Sequence, residues 1–188
     1  MKRLIYALYY RFGKLIGFHK HFNKMNESAT SEISYKIGNV KHHNTTIDAL
    51  MPQLVEIGDN FISAPGSVIL SHDASPYIHI RKHRVEKTIV GNEVFLGLNS
   101  IVMPGVKIGN RVIVGAGAIV TKDVPDGVVV VGNPAKVLCS VDEYMGKLEE
   151  KEVLFETPES FEDLFLGKKL NQEHLNEFQK KYLDDMSS

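Results

Sequence analysis

Between residues 90 and 125 the chain repeats every six positions without a break, as VGNEVF, LGLNSI, VMPGVK, IGNRVI, VGAGAI and VTKDVP. Each block opens on an aliphatic residue, Val90, Leu96, Val102, Ile108, Val114 and Val120. The fifth place carries a small or β-branched residue, Val94, Ser100, Val106, Val112, Ala118 and Val124, and Gly recurs at the second place as Gly91, Gly97, Gly109 and Gly115. A period of six matches neither the 3.6-residue turn of a helix nor the two-residue alternation of an ordinary strand. It predicts an all-β solenoid of short strands, in which each turn hides its apolar residues against the next and one repeat alone has nothing to pack on.

The same frame runs upstream through Ile57-Gly58-Asp59-Asn60-Phe61, Ser63 to Val68 and Ile69 to Ala74, and it breaks between Ser75 and Ile89. The break holds Pro76, Tyr77, His79, Arg81, Lys82, His83 and Arg84, too polar and too basic for a buried face. It reads as a loop, residues 75–89, thrown out from one corner of the coil, and insertions of this kind in repeat proteins often carry function.

These blocks resemble the hexapeptide-repeat acyltransferases, as do Ser71-His72-Asp73 before the loop, the segment from Gly115 to Pro125, and the closing Gly132-Asn133-Pro134-Ala135-Lys136. The likeness covers roughly residues 35–138, and its nearest look is to bacterial sugar and polysaccharide O-acetyltransferases, the branch of the galactoside and maltose acetyltransferases. It implies a left-handed parallel β-helix of triangular cross-section with three blocks to a coil, assembled as a homotrimer whose active sites lie between subunits. The domain layout that follows is an N-terminal helical segment at 1–30, the β-helix at 31–138, and a C-terminal helical extension at 139–188.

Composition narrows the partners. A net charge of −1, with eight His counted neutral, gives no global field pointing to nucleic acid. The single cysteine, Cys139, has no internal partner for a disulfide, and with no cleavable signal sequence in view the expected compartment is the cytoplasm. Residues 1–24 hold six Lys and Arg and no acid, and Leu4, Leu8, Phe12, Leu15 and Ile16 fall on one helical face. Arg11 and Lys14 interrupt the apolar run, which argues against a transmembrane span. A helix packed over the open end of the solenoid is the preferred reading of this segment, with weak membrane-surface contact as the other. Residues 140–186 lose the period and become acidic and helix-prone, with starts at Ser140-Val141-Asp142-Glu143, Thr157-Pro158-Glu159 and Asn171-Gln172-Glu173.

Histidine is the side chain suited to proton transfer near neutral pH, and His72 stands where the repeat yields to the loop. The resemblance implies that His72 is the general base of acetyl transfer from acetyl-CoA to an acceptor hydroxyl. Asp73 is its sequence neighbour and either orients the imidazole or shapes the loop. Small residues let the pantetheine arm of CoA lie close to the backbone, and the resemblance implies that Gly97, Gly115 and Ala116 line the donor groove, with Thr121 and Lys122 after them and Lys136 suited to the 3′-phosphate; any one Gly is otherwise the corner residue of a tight turn. Asp48 is implied to hold two hydroxyls of a carbohydrate or other small-molecule acceptor, or else to cap a turn, and Asn99 either faces the same cleft or occupies a corner. His72, His79 and His83 raise a zinc site and a hydrase activity as the rival, beside a noncatalytic scaffold. The like charges of Arg81, Lys82 and Arg84 around the loop histidines disfavour a dication, so no metal is expected.

Overall fold

A computed structural model describes residues 35–40, 43–154, 156 and 172–186. The expected helix at residues 1–30 lies outside the described residues, as does the start at Thr157.

Three sheets are visited in rotation. The first aligns β1 (Lys36–Ile37), β3 (Val55–Ile57), β8 (Thr88–Val90) and β11 (Lys107–Ile108). The second aligns β2 (Thr46–Ile47), β5 (Val68–Ile69), β10 (Ile101–Val102) and β13 (Ile119–Val120). The third aligns β4 (Ile62–Ser63), β9 (Phe95–Leu96), β12 (Ile113–Val114) and β14 (Val128–Val131), and ends on β15 (Lys136–Ser140), which turns back antiparallel onto β14. All other pairs in the three sheets are parallel. Ile89 pairs with Lys107, Ile101 with Ile119 and Phe95 with Ile113, so a regular coil returns after eighteen residues, three blocks of six. Three mostly parallel sheets built this way fit a left-handed β-helix.

The inward positions are the repeat's own. Val90, Leu96, Val102, Ile108, Val114 and Val120, which open the blocks, are all buried, and so are the fifth-place residues from Val94 to Val124. In most of the two-residue strands the second side chain points in and the first points out.

One corner explains the glycines. Asp59, Asn92, Asn110 and Asp126 stack there, and each Oδ1 accepts the backbone N–H of the residue one coil before: Asn39 at 2.7 Å, Asp59 at 2.8 Å, Asn92 at 2.9 Å and Asn110 at 2.7 Å. A Cβ on Gly91 would lie 2.5 Å from Gly109 O and 2.9 Å from Asn110 Oδ1, so at this corner the second place of the block has no room for a side chain, whereas another corner admits Met103 and Thr121 there.

The interruption of the repeat is a hairpin rather than an open loop. Strands β6 (His72–Asp73) and β7 (Arg84–Val85) pair antiparallel, with a one-turn helix, α1 (Tyr77–Ile80), between them, and the chain is back in the first sheet at Thr88. After β15 the chain forms α2 (Val141–Glu150), whose Ser140 side chain accepts from Glu143 N as the N-cap expected there. Val141 is buried, its N–H donates to Gly127 O, and Arg111 pairs with Asp142 at 2.5 Å, so the end of the coil and this helix are bonded together. A further helix, α3, spans Gln172–Met186.

Candidate active site

Strand pairing assembles the site. Because β2 lies beside β5, Asp48, which follows β2, reaches the Ser71–His72 segment that follows β5. Each Asp48 oxygen takes two backbone amides: Oδ1 accepts from Leu50 N at 2.9 Å and Met51 N at 3.0 Å, and Oδ2 from Ser71 N and His72 N, both at 2.9 Å. The His72 ring completes the set, with Nδ1 at 2.7 Å from Oδ1 and 2.6 Å from Oδ2. Burial alone would raise the Asp48 carboxyl. The amides of Met51 and Ser71, the His72 ring and the His72 amide outweigh it and lower the pKa from 3.8 to about 2.

An ionised carboxylate only accepts, so Nδ1 of His72 carries the proton and Nε2 is left with its lone pair. The His72 side chain is 24% exposed and that of Asp48 is fully enclosed. The pair is thus an anchored carboxylate holding an accessible imidazole in one tautomer, the arrangement a general base needs.

Of the two roles open to each carboxylate, Asp48 takes the turn-capping one and adds the His72 ring, and Asp73 takes the loop-shaping one. Asp48, expected to hold the acceptor, has no oxygen left for one. Asp73, expected beside the imidazole, bonds Ser75 N at 2.7 Å and Ser75 Oγ at 2.9 Å and shapes the hairpin instead. Adjacent strand residues face opposite ways, which keeps Asp73 from the ring of its neighbour.

The hairpin folds over the imidazole. The His83 ring stacks on His72 with centroids 6.3 Å apart, Tyr77 meets His83 edge-on at 5.3 Å, and the Arg81 guanidinium sits 5.1 Å from the Tyr77 centroid. Among the described residues no three His, Cys, Asp or Glu side chains converge as ligands for a metal ion.

The residues expected to line a donor groove divide. Gly97 is buried, donates to Val114 O at 2.8 Å and accepts from Ser100 N at 3.1 Å, and a Cβ there would lie 2.5 Å from Ala116 N. Gly115 likewise donates to Val130 O and accepts from Ala118 N. Both are packing positions between coils, with the N–H committed to the next coil. Ala116, Thr121, Lys122 and Lys136 are exposed. The Gly132–Lys136 turn is bonded to β13 through Ile119, which donates to Gly132 O and accepts from Ala135 N, so it stacks on the strand that Thr121 and Lys122 follow. Asn99 occupies a corner: its φ is +55°, and it stacks between Gly66 at +74° and Gly117 at +68°, donating to Pro65 O and bringing no hydrogen bond to His72.

The class that fold and site define is a coiled, mostly parallel β domain with a carboxylate-held histidine at the mouth of an inserted hairpin. Residues 87–122 match the hexapeptide repeat of succinyl-transferase. The chain is 38% identical over 103 residues to YvoF of Bacillus subtilis (strain 168), covering 55% of this chain and 58% of that protein. It is 36% identical over 111 residues to galactoside O-acetyltransferase of Escherichia coli (strain K12), covering 57% and 54%. A solved galactoside acetyltransferase in complex with coenzyme A superposes with a TM-score of 0.50 at 30% identity, over 64% of this chain and 59% of that one. The chain therefore carries the hexapeptide repeat and has named acetyltransferases among its homologues, and it spans little more than half the length of the curated relatives it matches.

Proposed function

We propose that this chain is an acetyl-CoA-dependent O-acetyltransferase, moving an acetyl group to a hydroxyl of a sugar or surface-polysaccharide precursor. The observation that carries the reading is the Asp48–His72 pair. His72 Nε2 takes the proton from the acceptor hydroxyl as its oxygen attacks the thioester carbonyl, and the C–O bond forms as the C–S bond breaks. The same nitrogen returns the proton to the departing thiolate sulfur. Asp48 stays ionised throughout and stabilises the imidazolium between these steps.

For the donor, the exposed Ala116 offers a backbone N–H that no protein group accepts among the described residues, beside a side chain small enough for close approach. Thr121, Lys122 and Lys136 lie on the exposed stretch around β13, and Lys136 suits a phosphate at the nucleotide end. This reading keeps Asn99 only as a corner residue that borders the cleft. It gives the three sheets the left hand of a solenoid with helical ends, assembles three chains with sites shared between them, and suits the cytoplasm, where the free thiol of Cys139 is stable.

Release of free CoA thiol from acetyl-CoA across a panel of sugars, amino sugars and amino acids tests the activity. His72→Ala lowers kcat by about 10²–10⁴-fold with little change in the KM for acetyl-CoA, whereas His79→Ala and His83→Ala cost less. Full activity in His72→Ala, with loss in either hairpin variant, would move the chemistry to the hairpin.

A further inference from the structure

The hairpin that covers His72 carries positive charge that the rest of the described protein does not neutralise. Its two acids are already engaged, Asp73 with Ser75 and Glu86 with Arg84. Arg84 is also tethered back to the coil through Pro104 O at 2.8 Å, and Lys87 pairs with Glu56 at 2.7 Å. Arg81 and Lys82 have no acidic partner among the described residues, and both are exposed.

Arg81 is nonetheless held in place. It ends α1 in the left-handed conformation, φ +56°, donates its N–H to Tyr77 O, and lays its guanidinium over the Tyr77 ring. From there a chain of ring contacts runs through His83, 5.3 Å from Tyr77, to His72, 6.3 Å further on. A cation fixed by an aromatic neighbour and joined by stacked rings to the base is a recognition element rather than a solvated surface charge.

We propose that the acceptor is anionic: a sugar or oligosaccharide bearing a carboxylate or phosphate, which Arg81 and Lys82 hold while a neighbouring hydroxyl reaches His72 Nε2. The proposal rests on the acetyltransferase reading and names the substrate class of that site. The phosphates of CoA are the other anions in the reaction. That reading meets them at Lys122 and Lys136 around β13, which leaves the hairpin cations for the acceptor.

The test uses the full chain, trigalacturonate, triglucuronate and a sugar phosphate, each beside a neutral counterpart, carboxyl-reduced or dephosphorylated. Thiol release and calorimetric binding are both measured. Wild-type protein prefers the acidic member of at least one pair by about tenfold in kcat/KM, and raising the salt shrinks that preference. In the Arg81→Gln/Lys82→Gln double variant the preference falls to within about twofold while the KM for acetyl-CoA holds; Lys147→Gln, on α2 and outside the hairpin, leaves both unchanged. Equal use of acidic and neutral members overturns the proposal. So does a double variant whose acetyl-CoA KM rises while acceptor preference persists, since the cations then serve the donor. Binding of an acidic glycan that the double variant loses, with no thiol release from any acceptor, upholds the anion site and overturns the acetyltransferase reading alone. Neither binding nor release overturns both.

Discussion

Asp48 illustrates how one carboxylate serves two ends. Both of its oxygens are saturated by backbone amides, which is why it stays ionised while enclosed, and the same charge fixes the His72 tautomer. Asp48→Asn turns one acceptor oxygen into an NH₂ that faces two N–H donors. The expected outcome is a loss of about 2–3 kcal/mol in denaturant unfolding, together with a fall in kcat of about 10²-fold or more in the fraction that remains folded. The pH dependence follows from the same bonds. Because the folded pKa, about 2, lies below the unfolded value, the folded state binds this proton less readily. The stability it contributes, roughly 2 kcal/mol, is complete above about pH 4 and is lost as pH falls from about 4 to about 2. Thermal melts between pH 6 and pH 2.5 check this: the wild type loses more stability over the acid limb than Asp48→Asn, and parallel curves would assign the slope to other carboxylates. From the sequence, His72 is legible as the proposed base because it sits where the repeat stops and matches the place the resemblance gives a histidine. Its partner is not. Asp73 is adjacent in sequence and is the natural candidate, whereas Asp48 stands twenty-four residues upstream in a coil of irregular length.

Among the elements, regularity decides what can be read in advance. The eighteen-residue coils from Ile89 to Val120 show their inward positions directly in the six-residue frame, and the coil after them closes in sixteen. The earlier pairs, Lys36 with Glu56 and Thr46 with Val68, return after twenty and twenty-two residues, so counting in sixes loses register at Asp48. Glycine at the second place reads as open space for a ligand, but at Gly97 and Gly115 the next coil fills that space. The informative residues stand at another corner: Asp59, Asn92, Asn110 and Asp126 form a ladder whose Oδ1 atoms fill the space a Cβ would need on Gly38, Gly58, Gly91 and Gly109, one coil before. Two substitutions separate the causes. Gly91→Ala places a methyl group against the Gly109 carbonyl, which is backbone and cannot turn aside, and the expected cost is about 1–3 kcal/mol. Gly117→Ala has nothing within 4 Å, yet its φ of +68° still costs about 1–2 kcal/mol. Because the Gly91 penalty comes from its neighbours in the next coil rather than from φ, adding Asn110→Ala to Gly91→Ala recovers part of the loss only if the Asn110 side chain shares in the clash. Urea denaturation of Gly91→Ala, Asn110→Ala and the double variant would show it, and full additivity would leave the Gly109 carbonyl as the whole cause.

At the scale of the molecule, the three outward faces differ in chemistry. The first sheet presents Lys36, Glu56, Ile89 and Lys107, and Glu56 is bridged to Lys36 at 2.8 Å and to Lys87 at 2.7 Å. This face is finished as a solvated surface. The second presents Thr46, Val68, Ile101 and Ile119, and the third Ile62, Phe95 and Ile113, with Ile62 41% and Phe95 38% exposed. Two adjoining apolar faces on a prism suit a heterologous contact, one face of each copy against the other face of the next, and a rotation of one third of a turn closes such contacts into a ring of three. Such a ring would leave the charged face outside. Sedimentation at micromolar concentration is therefore expected to give three times the 21.1 kDa of the chain. Phe95→Glu puts an unpaired charge in the middle of the third face. It should shift the protein to monomer while the isolated chain keeps its cooperative unfolding, because Phe95 points away from the core that Leu96 fills. Activity should fall with assembly if each site is completed by a neighbour, although the Asp48–His72 pair within each chain is untouched. Wild-type protein that sediments as a monomer would remove the ring and the shared site together. A Phe95→Glu monomer with full activity would keep the ring but place the whole catalytic apparatus within one chain.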